Sequence, residues 1–319
     1  MNSSKIKGLF FGAAAAATYG MNPLFALPLY QQNISTDSVL FYRYSIAAIV
    51  LAAWMKFKKQ PMAINKYEAA ALFPGGIVFA LSSLLLFSSY NYMAAGLAST
   101  ILFVYPVMVA LIMTGFFQEK LTPVTVVSLI LTLIGIALLH KGEDGQTLSF
   151  TGVALVLLSA LAYAVYIVGV NKSRLKELST EKLTLYVILF GLSVFFVRLR
   201  FGGNLQMLHS FSACANAFAL AILPTVISLI CTAKAIHYVG ATPTAILGAL
   251  EPVTAVFFGT VIFHEPLTVR LLLGIAVIIA AVTLIVSRPA AAGKINRAIA
   301  GFLRRKQKNL RSENQPPRR

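Results

Sequence analysis

Hydrophobic residues occupy this chain in long runs separated by short polar breaks. A helix needs about 20 consecutive apolar residues to cross a hydrocarbon core about 30 Å thick. Ten runs of that scale are legible, at 7–29, 37–55, 67–91, 96–118, 121–140, 150–171, 181–200, 213–237, 241–263 and 266–287. Almost nothing separates the fourth run from the fifth, or the ninth from the tenth. The pattern predicts an all-α integral membrane protein with ten transmembrane helices. It leaves no room for a soluble catalytic domain. The first run is too long for a cleavable signal, contains Pro23 and Pro28, and is expected to be retained.

The same pattern occurs twice. Pro106 precedes Glu119-Lys120-Leu121-Thr122, and Pro252 precedes Glu265-Pro266-Leu267-Thr268 at the same spacing. Gly8 and Tyr19 match Gly152 and Tyr163, Tyr42 matches Tyr186, and Gly96 is paired with Gly240. The offset is 144 residues as far as the paired glycines and 146 at the Pro/Glu signature, which implies a two-residue insertion. Each copy holds five runs, and an odd number places the second copy upside down in the membrane. The expected architecture is two inverted five-helix repeats, 1–144 and 145–287, followed by a basic tail, 288–319.

Composition agrees: 58% of residues are hydrophobic and 12% charged, unlike a soluble domain of this length. The net charge of +17 invites a nucleic-acid reading, but its placement argues against one. With the N-terminus in the cytoplasm, the clusters at Lys56–Lys66 and Lys172–Lys182 and the basic tail all fall inside. Only Lys141, Arg198, Arg200 and Arg270 fall outside. This is the positive-inside pattern, and it predicts both termini in the cytoplasm of a cell inner membrane. The tail reads either as a solvated basic segment or as an amphipathic helix over 294–306 lying on anionic lipid.

Buried charge is costly in a bilayer, by about 2.5–3.5 kcal/mol per residue on insertion scales. Of ten carboxylates, Glu251 alone lies deep within a run. Lys234, in the preceding run, is a candidate partner, at a depth differing by about 7–8 Å for a rise of 1.5 Å per residue. The pair reads as a structural tie or as cavity-lining charges, and Lys234 could also snorkel to the surface. Arg43 either snorkels outward or points inward as a fork for a carboxylate or phosphate. Pro106 and Pro252 predict matched kinks in runs four and nine. Tyr19, Asn22, Tyr90, Asn91, Tyr105, Tyr163 and Tyr166 complete a candidate lining near the bilayer midplane; Tyr105 is the repeat mate of Glu251. Glu119 and Glu265 read as parts of helical turns, each three residues before a capping threonine. No phosphate-binding loop, metal-ligand spacing or Ser-His-Asp set is present, so neither an enzyme nor a metal or organic cofactor is expected.

The segments Val104-Tyr-Pro-Val to Phe-Gln-Glu-Lys-Leu-Thr and Ala245-Ile-Leu-Gly-Ala-Leu-Glu-Pro-Val to Phe-His-Glu-Pro-Leu-Thr resemble the EamA repeat of the drug/metabolite transporter superfamily. Phe41-Tyr-Arg-Tyr and Ala235-Ile-His-Tyr-Val-Gly-Ala-Thr do too. The resemblance covers about residues 7–287. It implies a ten-span inverted-repeat carrier with a central cavity and both termini cytoplasmic, often exporting amino acids or other small metabolites. The inverted repeat itself suits alternating access, and Glu251, as the one deep carboxylate, makes protons a candidate coupling ion. Arg43, Glu251, Pro252 and the two loop glutamates match the family pattern. Lys234 is less typical and suggests an anionic group on the substrate. The alternatives are a carrier for phosphorylated or nucleotide-like organic anions and a lipid flippase.

Overall fold

The computed structural model describes residues 3–118, 123–139, 149–239, 244 and 247–284. Glu119, Thr122, Gly240 and the basic tail lie outside these described residues. Every described element is helical. The first half holds α1 (Ser3–Gly20), α2 (Asn22–Gln31), α3 (Thr36–Phe57), α4 (Lys66–Ser89), α5 (Ala95–Leu102), α6 (Tyr105–Phe117) and α7 (Pro123–Leu139). The second holds α8 (Phe150–Lys172), α9 (Thr180–Arg198), α10 (Phe211–Ala221), α11 (Ser228–Val239), α12 (Leu250–Phe263) and α13 (Val269–Leu284). A π-helical turn, Ile222–Ile227, joins α10 to α11.

Among the described residues, six helical stretches are long and apolar enough to cross a membrane: α3, α4, α5 with α6, α8, α9, and α10 with α11. Two shorter apolar helices, α12 and α13, follow. Exposed Leu133 of α7, Phe257 and Val261 of α12 and Leu273 of α13 form a distribution that suits lipid rather than water. Serine and asparagine set the helix starts: Ser35, Ser149, Ser179 and Ser210 each accept a backbone N–H of the first turn, and Asn65 forms a capping box with Glu68.

The two halves pack by one rule. α1 lies on α11 as α8 lies on α4; α10 meets α3 as α4 meets α9; and α12 meets α1 as α6 meets α8. α3 on α9 maps onto itself when the halves are exchanged. Hydrogen bonds repeat the exchange. Tyr42 Oη donates to the Gln206 carbonyl at 3.0 Å, and Tyr186 Oη to the Met62 carbonyl at 2.6 Å. Ser82 Oγ donates to the Ser159 carbonyl at 3.0 Å, and Ser228 Oγ to the Ala15 carbonyl at 2.9 Å. α6 and α12 both end in a left-handed residue, Gln118 and His264, each at φ 55°.

These pairs locate the insertion. The offset is 144 at Met62 and Gln206, 145 at the caps Asn65 and Ser210, and 146 at Ser82 and Ser228. One extra residue therefore lies just before α10. The other lies between Ser210 and Ser228, the stretch that contains the π-helical turn, and a single inserted residue is the ordinary origin of such a turn. The register is already 146 at Ser82, so in residue number Ala94, not Gly96, is the mate of Gly240.

Candidate functional site

The proline positions break helices rather than bend them. The chain leaves α5 at Leu102, turns through Phe103 and Val104, and restarts as α6 with Pro106 in the first turn, where its missing N–H costs nothing. Turn residues Gly248 and Ala249 likewise precede α12. Tyr105 and Glu251 thus stand in matched first turns of broken helices. The N-terminal end of α12 carries the positive end of its dipole, which favours a carboxylate at Glu251.

Glu251 is partly buried, and its carboxylate makes no hydrogen bond or ion pair among the described residues. Its charge reaches Tyr19, Tyr105 and Tyr163. α1 approaches α12 closely here: a Cβ on Gly20 would lie 2.5 Å from the Glu251 carbonyl oxygen and 2.8 Å from Thr254 Cβ. Tyr105 and Tyr163 meet edge to face with ring centroids 4.7 Å apart, and Tyr166 stacks beyond at 6.1 Å from Tyr163. Phe79 of α4 closes this aromatic block, 5.1 Å from Tyr166. Tyr166 also lines a shallow groove of about 190 Å³ between α4 and α8.

Arg43 does not snorkel. It is 5% exposed, its Nε donates to Thr225 Oγ1 at 3.0 Å, and its guanidinium lies 5.1 Å from the Phe87 ring centroid. Tyr19, Tyr30, Tyr44 and Tyr90 all feel its charge, and Tyr19 also feels that of Glu251. Tyr19 is therefore near both opposite charges.

Three other sequence-predicted residues sit differently. Lys234 is exposed, with its ammonium 4.9 Å from the Phe11 ring centroid, and forms no ion pair with Glu251. An ammonium over an aromatic face near the helix end is a stable resting place, so the expected charge pair does not form. Tyr90 caps the end of α4 and Asn91 is exposed just beyond it. Both line an open cavity of about 530 Å³ with Tyr30, His264 and Glu265, away from the Tyr105 block at the helix breaks. Asn22 is buried at the α1–α2 break, where its Nδ2 donates to the Tyr19 carbonyl at 2.8 Å and its Oδ1 lacks a partner.

Glu265 is also more than a turn residue. Thr268 caps α13 as expected, accepting from Leu271 N at 3.1 Å. The Glu265 carboxylate, however, reaches across to α5, accepting from Ala95 N at 2.9 Å and Gly96 N at 3.3 Å. Burial pushes this carboxyl above its ordinary range, and the two N–H bonds pull it partly back. Thr225 was not legible as a site residue. Its one signal was the uneven repeat offset, which marks the π-helical turn that carries it.

Comparison with known proteins agrees with this architecture. A solved crystal structure superposes with a TM-score of 0.63 at 16% identity, covering 89% of this chain and 96% of that one, which establishes a shared fold. The uncharacterized transporter YvbV of Bacillus subtilis is 27% identical over 70% of this chain and 74% of its own. An uncharacterized transporter of Haemophilus influenzae is 25% identical over 81% of this chain and 85% of its own. Residues 6–140 and 150–287 each match the EamA-like transporter family. With that match running through both halves, the chain belongs to the EamA-like transporter family and is a multi-pass membrane transporter.

Proposed function

We propose that this chain is a secondary carrier for small amphipathic metabolites, amino acids foremost, that works by alternating access. In this reading it has ten spans in two inverted repeats, 1–144 and 145–287, with both termini in the cytoplasm of an inner membrane. The observation that carries it is the arrangement of Arg43, Tyr19 and Glu251 where the two halves meet. A buried cation and an unpaired carboxylate share one tyrosine, beside an aromatic wall of Tyr105, Tyr163 and Tyr166. That set suits a zwitterion: a carboxylate toward Arg43, an ammonium toward Glu251 and an apolar side chain against the rings.

A purely anionic substrate fits less well. Lys234, the residue that suggested one, faces away, and Glu251 would repel a phosphate. Broken helices whose ends point at the site, exchanged between repeats, are the usual architecture of alternating access. Glu251 is also the group placed to take a coupling proton, because no cation holds its charge. The test is counterflow of labelled amino acids in proteoliposomes, with and without a pH gradient. Glu251→Gln is expected to abolish gradient-driven transport while preserving exchange. Saturable uptake of organophosphates with none of amino acids would replace this reading by the organic-anion one.

A further inference from the structure

Arg43 carries a full charge in a buried position, yet no carboxylate pairs with it among the described residues. A buried charge without a counter-ion is costly, so its orientation must be imposed by something other than an ion pair. The hydroxyl of Thr225 imposes it. Thr225 Oγ1 donates to the Leu220 carbonyl at 3.3 Å, five residues back, and accepts from Arg43 Nε at 3.0 Å. The five-residue reach exists because the backbone is π-helical over Ile222–Ile227. In a regular α-helix the Thr225 hydroxyl would turn to the carbonyl three or four residues back and face elsewhere. Thr225 is itself buried, at 7% exposure, so water does not compete for the bond.

The other half lacks this device. The mate of Arg43 at the 144-residue offset is Val187, fully buried against Gly76 of α4, which is regular α-helix throughout. The inserted residue and the charge it holds therefore occur together, on one side of the repeat axis only. With Nε bound to Thr225 and one face of the guanidinium over Phe87, the terminal amino groups remain, within reach of Tyr19. These are the groups with which an end-on fork grips a carboxylate or phosphate through two parallel N–H bonds.

We propose that Thr225, set by the π-helical turn, is a positioning residue that aims Arg43 as the anion-binding fork of the transport site and thereby makes a carboxylate or phosphate group obligatory on the substrate. This rests on the carrier reading above and names the chemical group its site selects.

The test uses the full chain, purified and reconstituted, with three probes suited to an aromatic wall: L-phenylalanine, phenyl phosphate and phenethylamine, which has no anionic group. Thr225→Val removes the hydroxyl at nearly constant shape, Thr225→Ser restores it, and Thr225→Ala serves if the valine variant does not fold. In wild type, L-phenylalanine or phenyl phosphate is expected to raise the thermal midpoint in detergent and to be transported, while phenethylamine does neither. In Thr225→Val the KM for that anionic probe should rise about tenfold, the effect of losing about 1.4 kcal/mol. Its kcat should stay within twofold, and Thr225→Ser should restore the KM. Equal binding of phenethylamine and L-phenylalanine would overturn the anion fork while leaving the carrier reading intact. An unchanged KM in folded Thr225→Val or Thr225→Ala would overturn the role of Thr225. If no probe binds or moves, both readings fall.

Discussion

Removing the Glu265 side chain should open one end of the bundle. Its carboxylate ties the α12–α13 loop to the first two N–H groups of α5, joining the two broken helices where they run side by side. On the orientation proposed above this end is external. In Glu265→Ala the two donors lose their acceptor, at about 1–3 kcal/mol for each one left unsatisfied. The α5 dipole loses its anion as well, worth about 0.3–1 kcal/mol. Water from the adjoining cavity of about 530 Å³ can reach the freed groups, which places the net effect near the low end. A net loss of about 2 kcal/mol shifts the closed-to-open ratio about thirtyfold. The assay is labelling of a single cysteine at Leu27, which lines that cavity, by an impermeant maleimide, with Cys214 and Cys231 replaced. A cysteine at exposed Phe150 gives the reference rate. Gly259→Ala should act in the same direction, because an added Cβ would collide with the Glu265 carboxylate. The pH dependence has a definite sign. The bound carboxyl holds its proton more tightly than an exposed one, so closure takes up protons between the ordinary carboxylate range and the raised value. Raising the pH through that window should therefore speed labelling of wild type, and the variant should lose this dependence. A folded, transporting Glu265→Ala protein labelled at the wild-type rate would refute the argument.

Gly20→Ala should destabilise the protein by several kcal/mol or lower its folded yield, because the new Cβ would press on the Glu251 carbonyl and Thr254; a thermal midpoint within 1–2 °C of wild type would count against close α1–α12 packing. Ser82→Ala and Ser228→Ala each remove a hydroxyl that donates to a carbonyl across a matched helix pair, and each should cost about 0.6 kcal/mol per bond lost in a membrane setting, with the double variant additive in steric-trap unfolding. Removing the chain after Arg288 should leave transport in proteoliposomes within about twofold while weakening association with anionic vesicles, about 1 kcal/mol per basic residue lost at the surface; complete loss of transport by a folded truncation would show a more central role.

The sequence by itself determined the class of fold and its doubling. Long apolar runs can satisfy their backbone in a membrane only as helices, so run length alone reports the element. The repeated Pro-to-Glu spacing places Tyr105 and Glu251 at equivalent points, and the helix breaks beside them follow from proline chemistry. The cap Thr268 was legible for the same reason: its partner, Leu271 N, lies within one helical turn. The tertiary structure decided everything that depends on a partner distant in sequence. Depth along a helix is readable, but rotation about its axis is not, because ten apolar runs offer little amphipathic contrast. That is why Lys234 reads as a partner of Glu251 yet rests on Phe11, and why Arg43 reads equally as snorkelling or inward. Tyr90 and Asn91 belong to a run long enough to cross the membrane but stand at its end. Glu265 looks like part of a turn until folding brings α5 beneath it. Thr225 needed both levels: the offset of two residues announces an insertion, and only the π-helical backbone shows that the inserted turn sets the hydroxyl which holds Arg43.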